Sequence, residues 1–164
     1  MTPNRLLGII AAAHAELTAF GIADTVQARV MSLAIALQES RISRRRQVGA
    51  SGLEDGPAVS FWQFEKGGGV RGVLTHPVAA PIMRKVCDAY NVESTEQGLW
   101  DAMRYNDTVA AIAARLLFYV LPNPLPTSAA TGWEQYLKAW RPGKPKPDTW
   151  PDNWARADLT VKTP

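Results

Sequence analysis

Glu39 is the residue of this chain that is best placed for acid–base chemistry. It stands at the end of a predicted helix in which Val26, Val30, Leu33 and Leu37 form an apolar stripe. The apolar flank excludes water and the helix C-terminus carries partial negative charge, so both raise the pKa of the carboxyl group. A carboxyl group that stays protonated near neutral pH can act as a general acid.

The alternative interpretation is that Glu39 caps a turn or forms an ion pair with Arg41 or Arg44, which follow in the next loop. On position alone it is about as well supported as catalysis. Further along, Phe61-Trp62-Gln63-Phe64 offers flat aromatic surfaces and an amide, which suit a sugar ring. Together, Glu39 and this segment indicate cleavage of a glycosidic bond.

The composition is that of an ordinary globular protein. With 164 residues, 46% hydrophobic and 20% charged, the chain favours one domain with a real core. Most of its six Trp are expected in that core.

A net charge of +3 and a pI near 9.2 suit an anionic polymer such as a bacterial wall. No basic stripe with interleaved aromatics occurs, so nucleic acid is not an expected partner. The run Arg44-Arg45-Arg46 is interpreted as a solvated loop.

Other chemistries find little support in the sequence. Cys87, the single cysteine, lies in an apolar pattern and is interpreted as a buried, inert thiol. His14 and His76 have no metal-ligating neighbours, so no metal and no cofactor are expected. Ser51 and Ser60 lack the flanking glycines of a nucleophile elbow.

Periodicity and capping residues predict a mainly α protein. Helices are expected over residues 3–20, 25–38, 77–90, 109–120 and 129–140, with a short helix that runs from a capping box at 94–97 through 103, and with short strands around 59–64. The expected N-caps are Asp24, the box Ser94-Thr95-Glu96-Gln97, and either Asn106 or Asp107.

The C-terminal segment, residues 144–164, contains three prolines and two tryptophans. Pro145, Pro147 and Pro151 predict an extended, polyproline-like tail. Trp150 and Trp154 are expected to hold this tail on the domain formed by residues 1–143.

Several segments, in this order, resemble the lysozyme superfamily, most of all soluble lytic transglycosylases, goose-type lysozymes and phage endolysins. Ala36-Leu37-Gln38-Glu39-Ser40 is similar to the family's buried helix that ends in Glu-Ser. The stretch from Gly56 to Phe64 is similar to its Gly-apolar-apolar-Gln segment, with Ser60 where the family usually has Gly. The helix that begins at Asn106 is similar to the family's next buried helix. The helix that ends at Trp140-Arg141-Pro142-Gly143 is similar to its last core helix.

The resemblance covers residues 25–143 and implies a lysozyme-like single domain. Such a domain is mainly α, with a short loop/β segment beside the active-site cleft.

The resemblance also implies roles for individual residues. Glu39 would be the catalytic acid, and Ser40 would orient a substrate group or Glu39 itself. Gln63 would hydrogen-bond the sugar, with Trp62 or Phe61 packed beside it. The family's late tyrosine near the glutamate would be Tyr136, with Tyr119 as the other option.

The sequence leaves two cleavage mechanisms open. An inverting hydrolase needs a second carboxylate ~6.5–9.5 Å from the first, and Glu54, Asp55 and Glu65 are the candidates. Each is more simply explained as a solvated loop charge. Lytic transglycosylases use a single glutamate as acid and then base, while the muramic acid's own hydroxyl closes an anhydro ring. The Glu-Ser pair and late tyrosine slightly favour this mechanism.

The expected function is therefore cleavage of the β-1,4 bond between N-acetylmuramic acid and N-acetylglucosamine in peptidoglycan, by a phage or prophage endolysin. The alternative is a non-catalytic wall-binding or virion structural module with the same fold. The N-terminal apolar run is too short to span a bilayer and lacks a good cleavage site. We therefore expect no stable membrane insertion. The protein is expected to be a monomer that is made in the host cytoplasm and reaches the wall by holin-type release.

Overall fold

Eight α-helices and one two-stranded sheet lie within residues 1–163, the part of the chain that this computed structural model describes. The helices are α1 (Pro3–Leu17), α2 (Val26–Ser40), α3 (Arg71–Thr75), α4 (Ala79–Ala89), α5 (Glu96–Met103), α6 (Asp107–Tyr119), α7 (Ala129–Trp140) and α8 (Trp150–Lys162). The strands are β1 (Ala58–Val59) and β2 (Phe64–Glu65). The predicted mainly α class is confirmed, and α7 has the predicted bounds.

The central helix is α2, whose residues 30–37 are all buried. Such burial follows from its sequence, which is apolar on nearly every side. Helices α1, α6 and α8 pack around it. At its C-terminus Arg41 adopts a left-handed conformation (φ 52°) and donates its N–H to Leu37 O. This stop places Glu39 in the last turn of a buried helix, as predicted.

The N-cap of α2 differs from the prediction. Thr25, not Asp24, is the cap, and its hydroxyl accepts a hydrogen bond from Ala28 N at 3.1 Å. Asp24 is bound to a side chain instead, because its carboxylate accepts a hydrogen bond from Arg29 Nε at 2.8 Å. For α6 the predicted cap is confirmed, since Asn106 Oδ1 accepts from Val109 N.

The sheet is a short hairpin with Ala58 opposite Glu65 and Val59 opposite Phe64. Its turn contains two left-handed residues, Ser60 (φ 65°) and Gln63 (φ 52°). Glycine would adopt the first conformation without strain. Here the Ser60 hydroxyl accepts a hydrogen bond from Trp62 N at 3.2 Å, which helps to stabilise the turn.

The predicted extended tail is wrong for most of its length, because residues 150–162 form α8. Pro151 lies at the start of this helix, where no backbone N–H is needed, so it favours the helix. Trp150 and Trp154 lie one turn apart and are both buried. They hold the segment on the domain, as expected, but as a packed helix beside α2 and α7.

Four of the six tryptophans form one aromatic cluster with Tyr136. Trp150 stacks on the Tyr136 ring, with centroids 5.2 Å apart and an interplanar angle of 19°. Trp133, Trp140 and Trp154 complete the cluster. Gly132 is needed at its edge, since a Cβ there would collide with the ring of Trp154. The expectation that core packing explains most tryptophans is confirmed.

None of the helices in residues 1–163 combines the length and apolarity needed to cross a membrane. Cys87 is fully buried between the helices, as expected of an inert thiol.

Candidate active site

Glu39 lies half-buried at the C-terminus of α2, on the wall of an open cleft of about 520 Å³. The cleft wall comes from three parts of the chain: the end of α2 with the loop after it, the hairpin, and the C-terminal segment.

Tyr136, from the middle of α7, donates its hydroxyl to Glu39 Oε1 at 2.6 Å. The tyrosine is buried and held in place, because its ring stacks on Trp150 and packs at a tilt against Trp133. The expected proximity of Tyr136 and Glu39 is therefore confirmed. Tyr119, the other option, lies at the end of α6 against Arg115, so that assignment is wrong.

The pKa of Glu39 is raised, mainly because burial disfavours the charged form. The negative charge of Glu65 raises it further, whereas the Tyr136 hydrogen bond and the positive charge of Lys146 lower it. Burial, followed by the charge of Glu39, raises the pKa of Tyr136. The tyrosine thus keeps its proton and donates it in the hydrogen bond, while Glu39 binds a proton more readily than an exposed glutamate.

Ser40 joins the hairpin turn to α2. Its Oγ lies 2.8 Å from Phe61 O and also accepts a hydrogen bond from Ile42 N. These contacts fix the turn beside Glu39, and they do not include the Glu39 carboxylate. The hydroxyl lies on the cleft wall, and a contact with substrate stays a prediction.

Gln63 shares the cleft wall with Glu39, as the sequence predicted. One amide N–H is used, because Nε2 donates to Ser60 O at 2.8 Å. This bond orients the amide, whose second N–H and whose oxygen are the groups that a polar ligand needs.

Phe61 and Trp62 do not form a sugar-binding surface, and that prediction is wrong. Their exposed fractions are 1% and 0%. Trp62 Nε1 donates to Ser32 O inside the core, and the guanidinium of Arg45 lies 4.7 Å from the Phe61 ring centroid. The two left-handed residues of the turn direct both rings inward, where their large apolar area stabilises the fold.

The C-terminal segment forms one wall of the cleft, which the sequence did not reveal. Gln38 attaches it: its Nε2 donates to Lys146 O, and its Oε1 accepts from Asn153 Nδ2 and Thr149 Oγ1. Cleft-lining residues from this segment are Lys146, Asp148, Thr149, Asp152, Asn153 and Arg156. A helical pattern in residues 150–161, with Trp150, Trp154, Ala157 and Val161 spaced three or four apart, could have predicted this wall.

The three candidates for a second carboxylate have different surroundings. Glu54 is exposed beside Arg44, and Asp55 accepts a hydrogen bond from Ser51 Oγ. Glu65, on β2, is near enough to affect the pKa of Glu39. It is therefore the carboxylate among these three that is electrostatically coupled to Glu39.

The arginine run divides between the cleft and the fold. Arg44 and Arg46 line the cleft, whereas Arg45 makes two hydrogen bonds to the Asp107 carboxylate, at 2.9 and 2.7 Å. The prediction that this run is a solvated loop is thus correct only in part, because Arg45 binds the loop to the start of α6.

Comparison with protein families, with curated proteins and with solved structures returned no significant match. What the fold and the site define is a mainly helical protein with a half-buried, tyrosine-bonded glutamate at the wall of an open polar cleft.

Proposed function

We propose that this protein is a peptidoglycan-cleaving glycosidase with a lysozyme-like fold, and that Glu39 is its proton-transfer residue. The observation that carries the proposal is the Tyr136–Glu39 hydrogen bond at the wall of the cleft. A glycosidase needs a carboxyl group that is protonated before the reaction and stable as a carboxylate after it. Partial burial supplies the first property, and the Tyr136 hydroxyl supplies the second.

In the first step, Glu39 gives its proton to the oxygen of the scissile bond. The bond between that oxygen and C1 of the muramic acid breaks, and the leaving sugar departs with a new hydroxyl. Positive charge develops at C1 while Glu39 becomes a carboxylate, which the Tyr136 O–H stabilises.

In the second step, an oxygen nucleophile attacks C1 and the Glu39 carboxylate accepts its proton. The nucleophile is the 6-hydroxyl of the same muramic acid in a transglycosylase, or water in a hydrolase. We favour the first, because Glu65 is exposed and does not line the cleft.

The polar character of the cleft supports a glycan substrate. Its charged side chains carry both signs: Arg41, Arg44, Arg46, Lys146 and Arg156 against Glu39, Asp148 and Asp152. The excess of cations suits a strand whose stem peptides carry carboxylates. The amides of Gln63 and Asn153 suit hydroxyl and acetamido groups.

Digestion of purified sacculi, with mass spectrometry of the released muropeptides, tests the proposal. Products ending in 1,6-anhydromuramic acid are expected, and reducing ends would indicate the hydrolase mechanism instead. Sedimentation with sacculi without any release of soluble fragments would contradict catalysis and support the wall-binding alternative.

A further inference from the structure

A second groove, separate from the Glu39 cleft, lies on the other side of the hairpin. It has a volume of about 420 Å³ and is lined by Arg46, Asp55, Pro57, Glu65, Lys66 and Trp100. A pocket of this size holds a small ligand group of a few rings at most.

Trp100, on α5, is the aromatic surface of this groove. Unlike Phe61 and Trp62, it is half-exposed. Its Nε1 donates to Pro57 O at 2.9 Å, which fixes the plane of the ring. An immobilised ring loses little conformational freedom when a ligand packs on it, so its apolar area contributes fully to binding.

Charged groups of both signs surround the ring. Arg104, Lys66 and Arg46 lie 5.5, 5.7 and 5.8 Å from the ring centroid. Of these cations Lys66 and Arg46 line the groove, together with the carboxylates of Asp55 and Glu65. This balance gives donors and acceptors without a strong net charge. It suits a ring that is apolar on its face and rich in hydroxyl or amide groups at its edge, which is the chemistry of an N-acetylated sugar.

Two residues connect this groove to the Glu39 cleft. Arg46 lines both of them. Glu65 lines the groove and lies close enough to Glu39 for their charges to interact. A linear polymer that occupies the cleft can therefore continue past Arg46 into the groove.

We infer that the Trp100 groove is a second carbohydrate subsite, which holds a sugar ring of the same glycan strand against the indole face. This inference rests on the proposed glycosidase function. It assigns to Trp100 the role that the sequence suggested for Phe61 and Trp62.

Binding of defined glycan fragments tests the subsite without interference from turnover. In a Glu39→Gln background, a peptidoglycan disaccharide and an octasaccharide are titrated into the protein by calorimetry. Trp100→Ala is expected to weaken octasaccharide binding by about tenfold, roughly 1.4 kcal/mol, and to leave disaccharide binding unchanged. Tyr105→Ala is the matched control, since Tyr105 is an exposed aromatic of the same region that does not line the groove.

A fluorine NMR measurement covers the case in which Trp100→Ala does not fold. The Glu39→Gln protein is labelled with fluorotryptophan, and the Trp100 resonance is assigned by its absence in Trp100→Phe. The octasaccharide is expected to shift that resonance, and the disaccharide is not.

The outcomes separate the two claims. Equal octasaccharide affinity in the Trp100→Ala and Tyr105→Ala proteins, or an unmoved Trp100 resonance, would overturn the subsite. If the wild-type protein still cleaved sacculi, the proposed glycosidase function would remain supported. A chain that neither binds any glycan fragment nor cleaves sacculi would overturn the proposed function and the subsite together.

Discussion

The hydroxyl of Tyr136 lies 2.6 Å from Oε1 of Glu39, although the two residues are 97 positions apart in the chain. The bond joins the C-terminus of α2 to the middle of α7, and the ring stack on Trp150 keeps it in place. Burial makes Glu39 easier to protonate, and Tyr136 opposes this by stabilising the carboxylate. A residue that must give and then take back a proton needs both influences.

Replacing Tyr136 by phenylalanine tests this balance. The ring and its stacking stay, but the hydrogen bond that lowers the Glu39 pKa is lost, so that pKa should rise further. A carbon-13 NMR titration of the glutamate carboxyl groups measures the shift. Tyr119→Phe is the control, because Tyr119 lies at the end of α6 and makes no contact with Glu39. An unchanged Glu39 titration in Tyr136→Phe would show that the hydrogen bond is absent in solution.

Glu65→Gln distinguishes the two cleavage mechanisms. Removing the Glu65 charge removes a repulsion, so the pKa of Glu39 should fall. Because Glu39 must be protonated to act as general acid, the alkaline limb of the cleavage pH profile should then move to lower pH. The single-glutamate mechanism predicts that the maximal rate changes little. Loss of activity by about 10²-fold or more, with Glu54→Gln unaffected, would instead identify Glu65 as a second catalytic carboxylate.

Trp150→Ala tests whether α8 belongs to the folded unit that holds the site. Trp150 is 2% exposed and packs on Tyr136, so truncation should reduce the free energy of unfolding by about 3–5 kcal/mol. Urea denaturation measures this. Leu159→Ala, on the exposed face of the same helix, should change stability by less than about 0.5 kcal/mol. Equal stabilities of the two variants would mean that α8 is dispensable for the fold.

His14 should make the protein sensitive to acid. It is fully buried beside Ser32, Asp24 and Arg115, and burial lowers its pKa from 6.5 to about 4. Arg115 contributes in the same direction and Asp24 opposes it. The unfolded chain therefore binds a proton between about pH 6.5 and 4 that the folded chain does not, so stability is lost as the pH falls through this window.

The expected size of the His14 effect is about 3 kcal/mol. It is measured as the difference between wild type and His14→Gln in the pH dependence of urea unfolding. Contributions from Glu39, whose raised pKa acts in the opposite direction, are common to both proteins and cancel. Parallel pH curves for the two proteins would contradict a neutral, buried His14.

Elements with strong local signals were predictable from sequence. The apolar surround of α2 and the Asn106 cap at the start of α6 are local properties. The pairing of Tyr136 with Glu39 came from the resemblance to a family, because no local rule connects residues so far apart.

Other features depended on tertiary packing. Whether Phe61 and Trp62 point outward or inward is decided by the left-handed turn at Ser60 and Gln63, which composition does not reveal. The number of prolines in residues 144–164 predicts an extended chain, whereas the position of one of them is compatible with the helix α8. Pro151 lies at the one end of a helix that tolerates it.

The most direct test of the central claim is the initial rate at which wild type and Glu39→Gln release soluble fragments from purified sacculi. The amide keeps the shape of the side chain and has no proton to transfer, while circular dichroism and the unfolding midpoint confirm that the variant is folded. We predict that the rate falls by roughly 10²–10⁴-fold with little change in sacculus binding. A folded Glu39→Gln protein that cleaves at the wild-type rate would contradict the assignment of Glu39 as the proton-transfer residue.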